Sequence, residues 1–120
     1  MMQIHRGDVV VLFVPFTSGQ SGKSRPALVV QSDLRNGAFA DTVLAIITSK
    51  THHLATDPTQ LAIDVTTDEG RQTGLRMPSV VKCGHLITVE QQLIGRRIGA
   101  FAPALMDEVE TRIKIALDLS

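Results

Sequence analysis

The residues best suited to chemistry lie in Gly22-Lys-Ser-Arg-Pro-Ala-Leu-Val-Val30, where a polar loop runs into a hydrophobic strand. The loop Thr17 to Ser24 delivers Lys23, Ser24 and Arg25 to that strand's first residues. Pro26 fixes its own φ and biases Arg25 towards an extended backbone. An arginine held this way presents a planar, bidentate fork that suits a phosphate. On composition alone, a surface arginine more commonly stays solvated or pairs with a carboxylate.

A second segment, Val43-Leu-Ala-Ile-Ile-Thr-Ser49, is an apolar strand that opens into the hydroxyl pair Thr48 and Ser49. Hydroxyls there can bond a phosphate, although Ser and Thr also end strands for ordinary turn reasons. A third, Gly74 to Leu86, carries Lys82 and His85 as candidates, with Cys83 between them. One Cys and one nearby His do not make a metal-ligand set, so no metal is expected. A cysteine nucleophile needs a partner that stabilises the thiolate, and a buried, inert Cys83 is the better reading. His52 and His53 sit beside a loop, where a solvated pair is commoner than a ligand.

The elements that must position these groups belong to a chain of 120 residues, read as one domain over 1–120. A chain of this size buries roughly two-thirds of its unfolded surface. The apolar fraction of 43% is ordinary, but there is no Trp or Tyr and only four Phe. Aromatic platforms for stacking bases are therefore scarce, and nucleic-acid binding would rest on cations, backbone groups and hydrogen bonds. Basic and acidic residues balance at 12 each, which removes a global basic field but not a local patch. The cations fall mainly at Lys23/Arg25, Arg71/Arg76/Lys82 and Arg96/Arg97, and Asp107, Glu108 and Glu110 cluster near the C-terminus. A single Cys excludes an intrachain disulfide, and the sequence shows neither a signal-peptide run nor a membrane-length apolar stretch. A soluble, cytoplasmic protein is expected.

Hydrophobic patterning predicts strands over Asp8 to Phe16, Ala27 to Gln31, Thr42 to Thr48, Leu61 to Val65, Ser79 to Val89 and Ile94 to Phe101. The first is apolar on both faces, as a central strand would be. Asp33 to Asp41 reads as a turn around Asn36-Gly37, and Thr66 to Gly74 as a loop. Leu105, Met106, Val109, Ile113, Ala116 and Leu117 follow a helical repeat, with Pro103 suited to the first turn. The expected architecture is mainly β with α: a small β-barrel with a C-terminal amphipathic helix.

In order along the chain, several of these segments resemble the MazF/PemK family of bacterial toxins. They are Arg6-Gly-Asp-Val-Val-Val, Arg25-Pro-Ala-Leu-Val-Val and Ala45-Ile-Ile-Thr-Ser, followed by Gly74-Leu and Pro78-Ser-Val-Val-Lys-Cys. The series ends with Ile94-Gly-Arg-Arg-Ile-Gly leading into Pro103-Ala-Leu-Met-Asp-Glu-Val. The resemblance implies an SH3-like barrel, usually a homodimer, that cuts single-stranded RNA such as mRNA. It further implies sequence selectivity, no metal or other cofactor, and restraint by a cognate antitoxin. The implied reaction is attack of a ribose 2′-hydroxyl on the adjacent phosphorus, giving a 2′,3′-cyclic phosphate and a 5′-hydroxyl.

By motif position in the MazF branch, the catalytic pair would be Arg25 and Thr48. Arg25 would stabilise the developing phosphorane charge and donate a proton to the leaving oxygen, and Thr48 would orient the phosphate. Gln20, Lys23, Ser24, Ser49, Lys82 and His85 are the expected RNA-binding residues. The PemK branch uses an Asp after Val-Val-Arg-Cys as base and a His in the first loop. Here Gly84 and Gln20 stand in those places, which leaves the general base unassigned; His85 could substitute only if Gly84 kinks or bulges the strand. Those two departures motivate a second reading, a barrel that binds RNA or antitoxin without cutting. A third, poisoning of DNA gyrase, is disfavoured because related gyrase-directed toxins depend on a Trp-containing C-terminal signature that is absent here.

Overall fold

In the computed structural model, residues 3–14, 23–51, 53–54 and 56–120 are described, with only the backbone at 13, 14 and 23. The elements run β1 (Asp8–Val14), β2 (Lys23–Val29), α1 (Asp33–Ala38), β3 (Asp41–Thr48), β4 (Gln60–Ile63), α2 (Asp68–Gln72), β5 (Ser79–Glu90), β6 (Ile94–Ala100) and α3 (Pro103–Leu117). The strands form one six-stranded sheet in the order β4-β5-β3-β2-β1-β6, with every neighbour antiparallel.

This order explains why β1, β2 and β3 are so apolar. They lie in the middle of the sheet and bury both faces. On one face Val9, Leu28, Ala45, Ile47, Val81 and Cys83 pack with Phe101, Met106 and Val109 under α3. On the other, Val10, Leu12, Ala27, Val29 and Leu44 pack with Ile4 and Ile94. The helical face of α3 is as expected around Met106 and Val109, but Leu117 is 53% exposed. No helix among the described residues is long and apolar enough to cross a membrane.

The expected small barrel-like, mainly β fold with a C-terminal helix is present, but hydrogen bonding leaves the sheet open between β4 and β6. The chain that leaves β4 bridges these two edges instead. After α2 it passes so close to β6 that a Cβ on Gly74, whose φ is +77°, would meet the Ile98 carbonyl oxygen at 2.1 Å. From the other side, a Cβ on Gly99 would lie 2.4 Å from the Thr73 carbonyl oxygen. Backbone contact across this gap is therefore possible only with glycine at both places.

Two expected loops contain short helices. α1 starts at Ser32, whose hydroxyl accepts the Arg35 N–H, and Asn36 is not an exposed turn residue. Asn36 is buried and bonded to Gln31, and Thr42 Oγ1 donates to its Oδ1 at 2.7 Å. Gln91, 55 positions away, donates to its carbonyl at 2.9 Å. α2 is capped by Thr67, whose hydroxyl accepts the Gly70 N–H at 3.0 Å. Partners distant in sequence decide the first of these helices, and local windows cannot register them.

These close approaches give a direct test. Gly74→Ala should lower stability by roughly 2–4 kcal/mol, from strain and clash together. Gly37→Ala, within α1 and with nothing within 4 Å of the added Cβ, should instead raise it by roughly 0.5–1 kcal/mol. Urea unfolding midpoints of the two variants should move in opposite directions.

Candidate active site

Arg25 and Thr48 are brought together by the register of β2 and β3. The ladder pairs Val29 with Leu44, Leu28 with Ala45 and Ala27 with Ile46, and then stops. Continuing that register by two residues sets Arg25 opposite Thr48. Both residues line one cavity.

The reason the ladder stops is Pro26. In an antiparallel strand the N–H and C=O of one residue point to the same neighbour, and successive residues alternate. The Val29 carbonyl accepts the Gly7 N–H on the β1 side at 2.8 Å, and the Val30 N–H donates to Val43 on the β3 side at 3.0 Å. Even-numbered positions of β2 therefore face β3, so the donor that Pro26 lacks is the one the next rung would need. β2 stays paired with β1 down to Val14 and Lys23 while its β3 edge comes free.

A cavity of about 740 Å³ opens at that point. Its apolar wall includes Val11, Pro26, Ile47, Leu75 and Ile98. Its polar lining is four arginines (Arg25, Arg76, Arg96, Arg97) and four hydroxyls (Ser24, Thr48, Ser49, Ser79), with no carboxylate among the described lining residues. A chain of zero net charge has thus gathered a cationic cavity, while Asp107, Glu108 and Glu110 are exposed on α3. Among the described residues, Arg97 alone of the four has a carboxylate partner: its Nε donates to Asp8 Oδ1 at 2.9 Å. Asp8 is 5% exposed and its other oxygen accepts the His5 N–H. Among the described residues, the side chains of Arg25, Arg76 and Arg96 have no ion-pair or hydrogen-bond partner. Thr48 Oγ1 accepts the Lys50 N–H at 3.2 Å, which holds the hydroxyl oxygen while leaving its proton available.

Of the sequence-derived candidates, Ser24, Arg25, Thr48 and Ser49 thus share one site. Gln20 and the Lys23 side chain lie outside the described residues, as does His52. Lys82 and His85 do not line the cavity. Lys82 sits on β5 between Ile46 and Gln60. Beyond it β5 bulges: Ile46 pairs with Lys82 but Ala45 pairs with Leu86, so residues 83–85 are extra to the ladder. The Cys83 N–H bonds to Thr59 at 3.2 Å, and His85 is exposed near Asp57. The Thr59 hydroxyl and N–H hold the Asp57 carboxyl below its ordinary pKa, with a smaller contribution from His85. The strand does bulge at Gly84, but it carries His85 towards Asp57. Arg76, Arg96 and Arg97 were visible as cations in the sequence, yet no motif there assigned them to a site.

Cys83 is fully buried, and desolvation pushes its thiol up to about 11. It offers no nucleophile. A thiol reagent at pH 8 should leave it unmodified in the native protein and label it on unfolding. Since the folded pKa is raised, the thiol's contribution to stability is present below the ordinary value of 9.0 and is lost as pH rises through about 11.

Comparison with known proteins gives this cavity its context. A model of the PemK-like, MazF-like toxins of type II toxin–antitoxin systems matches residues 5–117. The chain belongs to that family. It is 32% identical over 105 residues to endoribonuclease MazF6 of Mycobacterium tuberculosis, covering 88% of each chain. It is 29% identical over 119 residues to endoribonuclease EndoA of Bacillus subtilis, covering 98% of this chain and 97% of that one. Its fold matches a mycobacterial endoribonuclease solved in complex with its cognate antitoxin, with a TM-score of 0.78 at 24% identity over 98% of this chain and 97% of that one.

Proposed function

We propose that this protein is an endoribonuclease toxin that cuts single-stranded RNA at the cavity beside Pro26. The observation that carries this reading is the meeting of Arg25, which has no side-chain partner among the described residues, with the Thr48 hydroxyl at the open end of the β2–β3 ladder, in a cavity lined by cations and hydroxyls. That donor set suits an anionic, oxygen-rich substrate. Family membership and relatives named as endoribonucleases support the same activity.

In the proposed reaction the ribose 2′-hydroxyl gives up its proton to solvent as its oxygen attacks the adjacent phosphorus, and the 5′-oxygen leaves and takes up a proton. The products are a 2′,3′-cyclic phosphate and a 5′-hydroxyl. Arg25 faces the phosphoryl oxygens as negative charge builds on them, and the Thr48 hydroxyl donates to one of them and fixes its position. Preorganised donors of this kind are worth most in the transition state, where the charge is greatest. The reaction is proposed to need no metal. No carboxylate or imidazole is among the described lining residues, and the contribution of Arg25 and Thr48 to the rate is electrostatic. Ser24 and Ser49, beside the pair, bond the RNA backbone.

The same cations attract an acidic segment of a cognate antitoxin, which would block the cavity by competing with RNA. A homodimer belongs to this reading too. The exposed apolar side chains Ile115, Leu117 and Leu119 leave surface available for association.

Arg25→Ala and Thr48→Val should each slow cleavage of a long single-stranded RNA by ~10²–10³-fold, with the folded far-ultraviolet spectrum retained. EDTA should leave the wild-type rate unchanged, and end analysis should give cyclic phosphate and 5′-hydroxyl termini. Wild-type protein free of antitoxin that binds RNA without cutting it would point instead to a binding barrel.

A further inference from the structure

The cavity holds more positive charge than one phosphate requires, and that charge is distributed unevenly. β2 and β6 flank β1 on opposite sides. Arg25 is the register partner of Leu12 in one ladder, and Arg96 of Val11 in the other. Two strand spacings therefore separate their backbones, about 10 Å. Arg76 belongs to the β6 side as well, because the chain just before it is seated on the Ile98 carbonyl through Gly74. The cavity thus has an Arg25/Thr48 end and an Arg76/Arg96 end, with the apolar wall shared between them.

The second end carries uncompensated charge. Arg97 has the buried Asp8 as its partner, whereas Arg76 and Arg96 are exposed and have no ionic or side-chain hydrogen-bond partner among the described residues. The chain has 12 acidic residues, and none of those described lines this cavity. Two like charges gathered without a counter-ion repel one another, and a bound anion relieves that cost. Guanidiniums only donate hydrogen bonds and phosphate oxygens only accept them, so the chemistry matches a phosphate on every RNA sequence, whereas among base edges the N7 and O6 acceptor pair of guanine would tie binding to sequence.

We propose that Arg76 and Arg96 form a second phosphate subsite, which holds an RNA backbone phosphate adjoining the scissile one and sets the strand's direction across Arg25 and Thr48. The proposal rests on the endoribonuclease reading and extends it. Both arginines are positioning residues: they bind a phosphate that does not react.

Counter-ion release provides the test. Binding of a labelled, mixed-sequence single-stranded RNA is measured by fluorescence anisotropy over a range of NaCl concentrations. A Thr48→Ala background slows cleavage enough for binding to be read first, and it keeps every cation. Each phosphate contact contributes ~0.7 to the slope of log K against log salt for a single strand. Arg76→Gln and Arg96→Gln should each reduce the slope by about that amount, on every RNA sequence alike. Arg76→Lys and Arg96→Lys should restore it. Arg71→Gln, which removes a cation paired with Asp68 outside the cavity, should leave it unchanged. Slopes equal to that of the background protein overturn the subsite, as does an altered preference among RNA sequences at an unchanged slope, which would mark the arginines as base readers. If the background protein binds and the wild type cleaves while the slopes stay fixed, the subsite alone fails. If neither binding nor cleavage occurs, the endoribonuclease reading fails and takes the subsite with it.

Discussion

One missing hydrogen-bond donor organises this molecule. Pro26 lies in β2 with its nitrogen turned towards β3, and the rung there lacks the donor that β2 would supply. Everything on the far side of that position follows from the separation of the two strands. Arg25 and Thr48 keep the register that pairs them but lose the ladder that would close over them. An arginine and a threonine in adjoining paired strands are ordinary surface residues. At the end of an interrupted ladder, over a cavity, they become a cleft with a cation on one wall and a hydroxyl on the other.

Keeping that cleft open requires rigid surroundings. β1 holds β2 in register down to Lys23, and both faces of the central strands are buried under aliphatic side chains. The far wall comes from a different device. The chain after α2 lies against β6 at backbone distance, through Gly74 and Gly99, and carries Arg76 to the same cavity as Arg96. The buried Asp8 then fixes Arg97 in place. The site is therefore assembled from β2, β3, β6 and a crossover loop that are far apart in sequence.

Much of the architecture was legible in the residues. Apolar runs marked all six strands, and the repeat through Met106 and Val109 marked α3. The short helices were not legible. Asn36-Gly37 has turn chemistry, but burial of Asn36 among Gln31, Thr42 and Gln91 overrides it. The candidate site divided the same way. Ser24, Arg25, Thr48 and Ser49 meet, because each adjoins the end of a strand whose pairing follows from its pattern. Lys82 and His85 stand apart from the cavity, since the β5 bulge inserts residues that strand alternation cannot foresee.

What the sequence determined by itself was a proline-terminated rung beside an arginine, a hydroxyl pair ending an apolar strand, and a charge total that hides its own distribution. These are local facts, set by backbone chemistry and side-chain period. Only the tertiary structure decided which of the scattered arginines share a cavity and which one meets a carboxylate. Those outcomes depend on strand order, on a bulge and on two glycine contacts, which are long-range packing choices with no short-range signature in the chain.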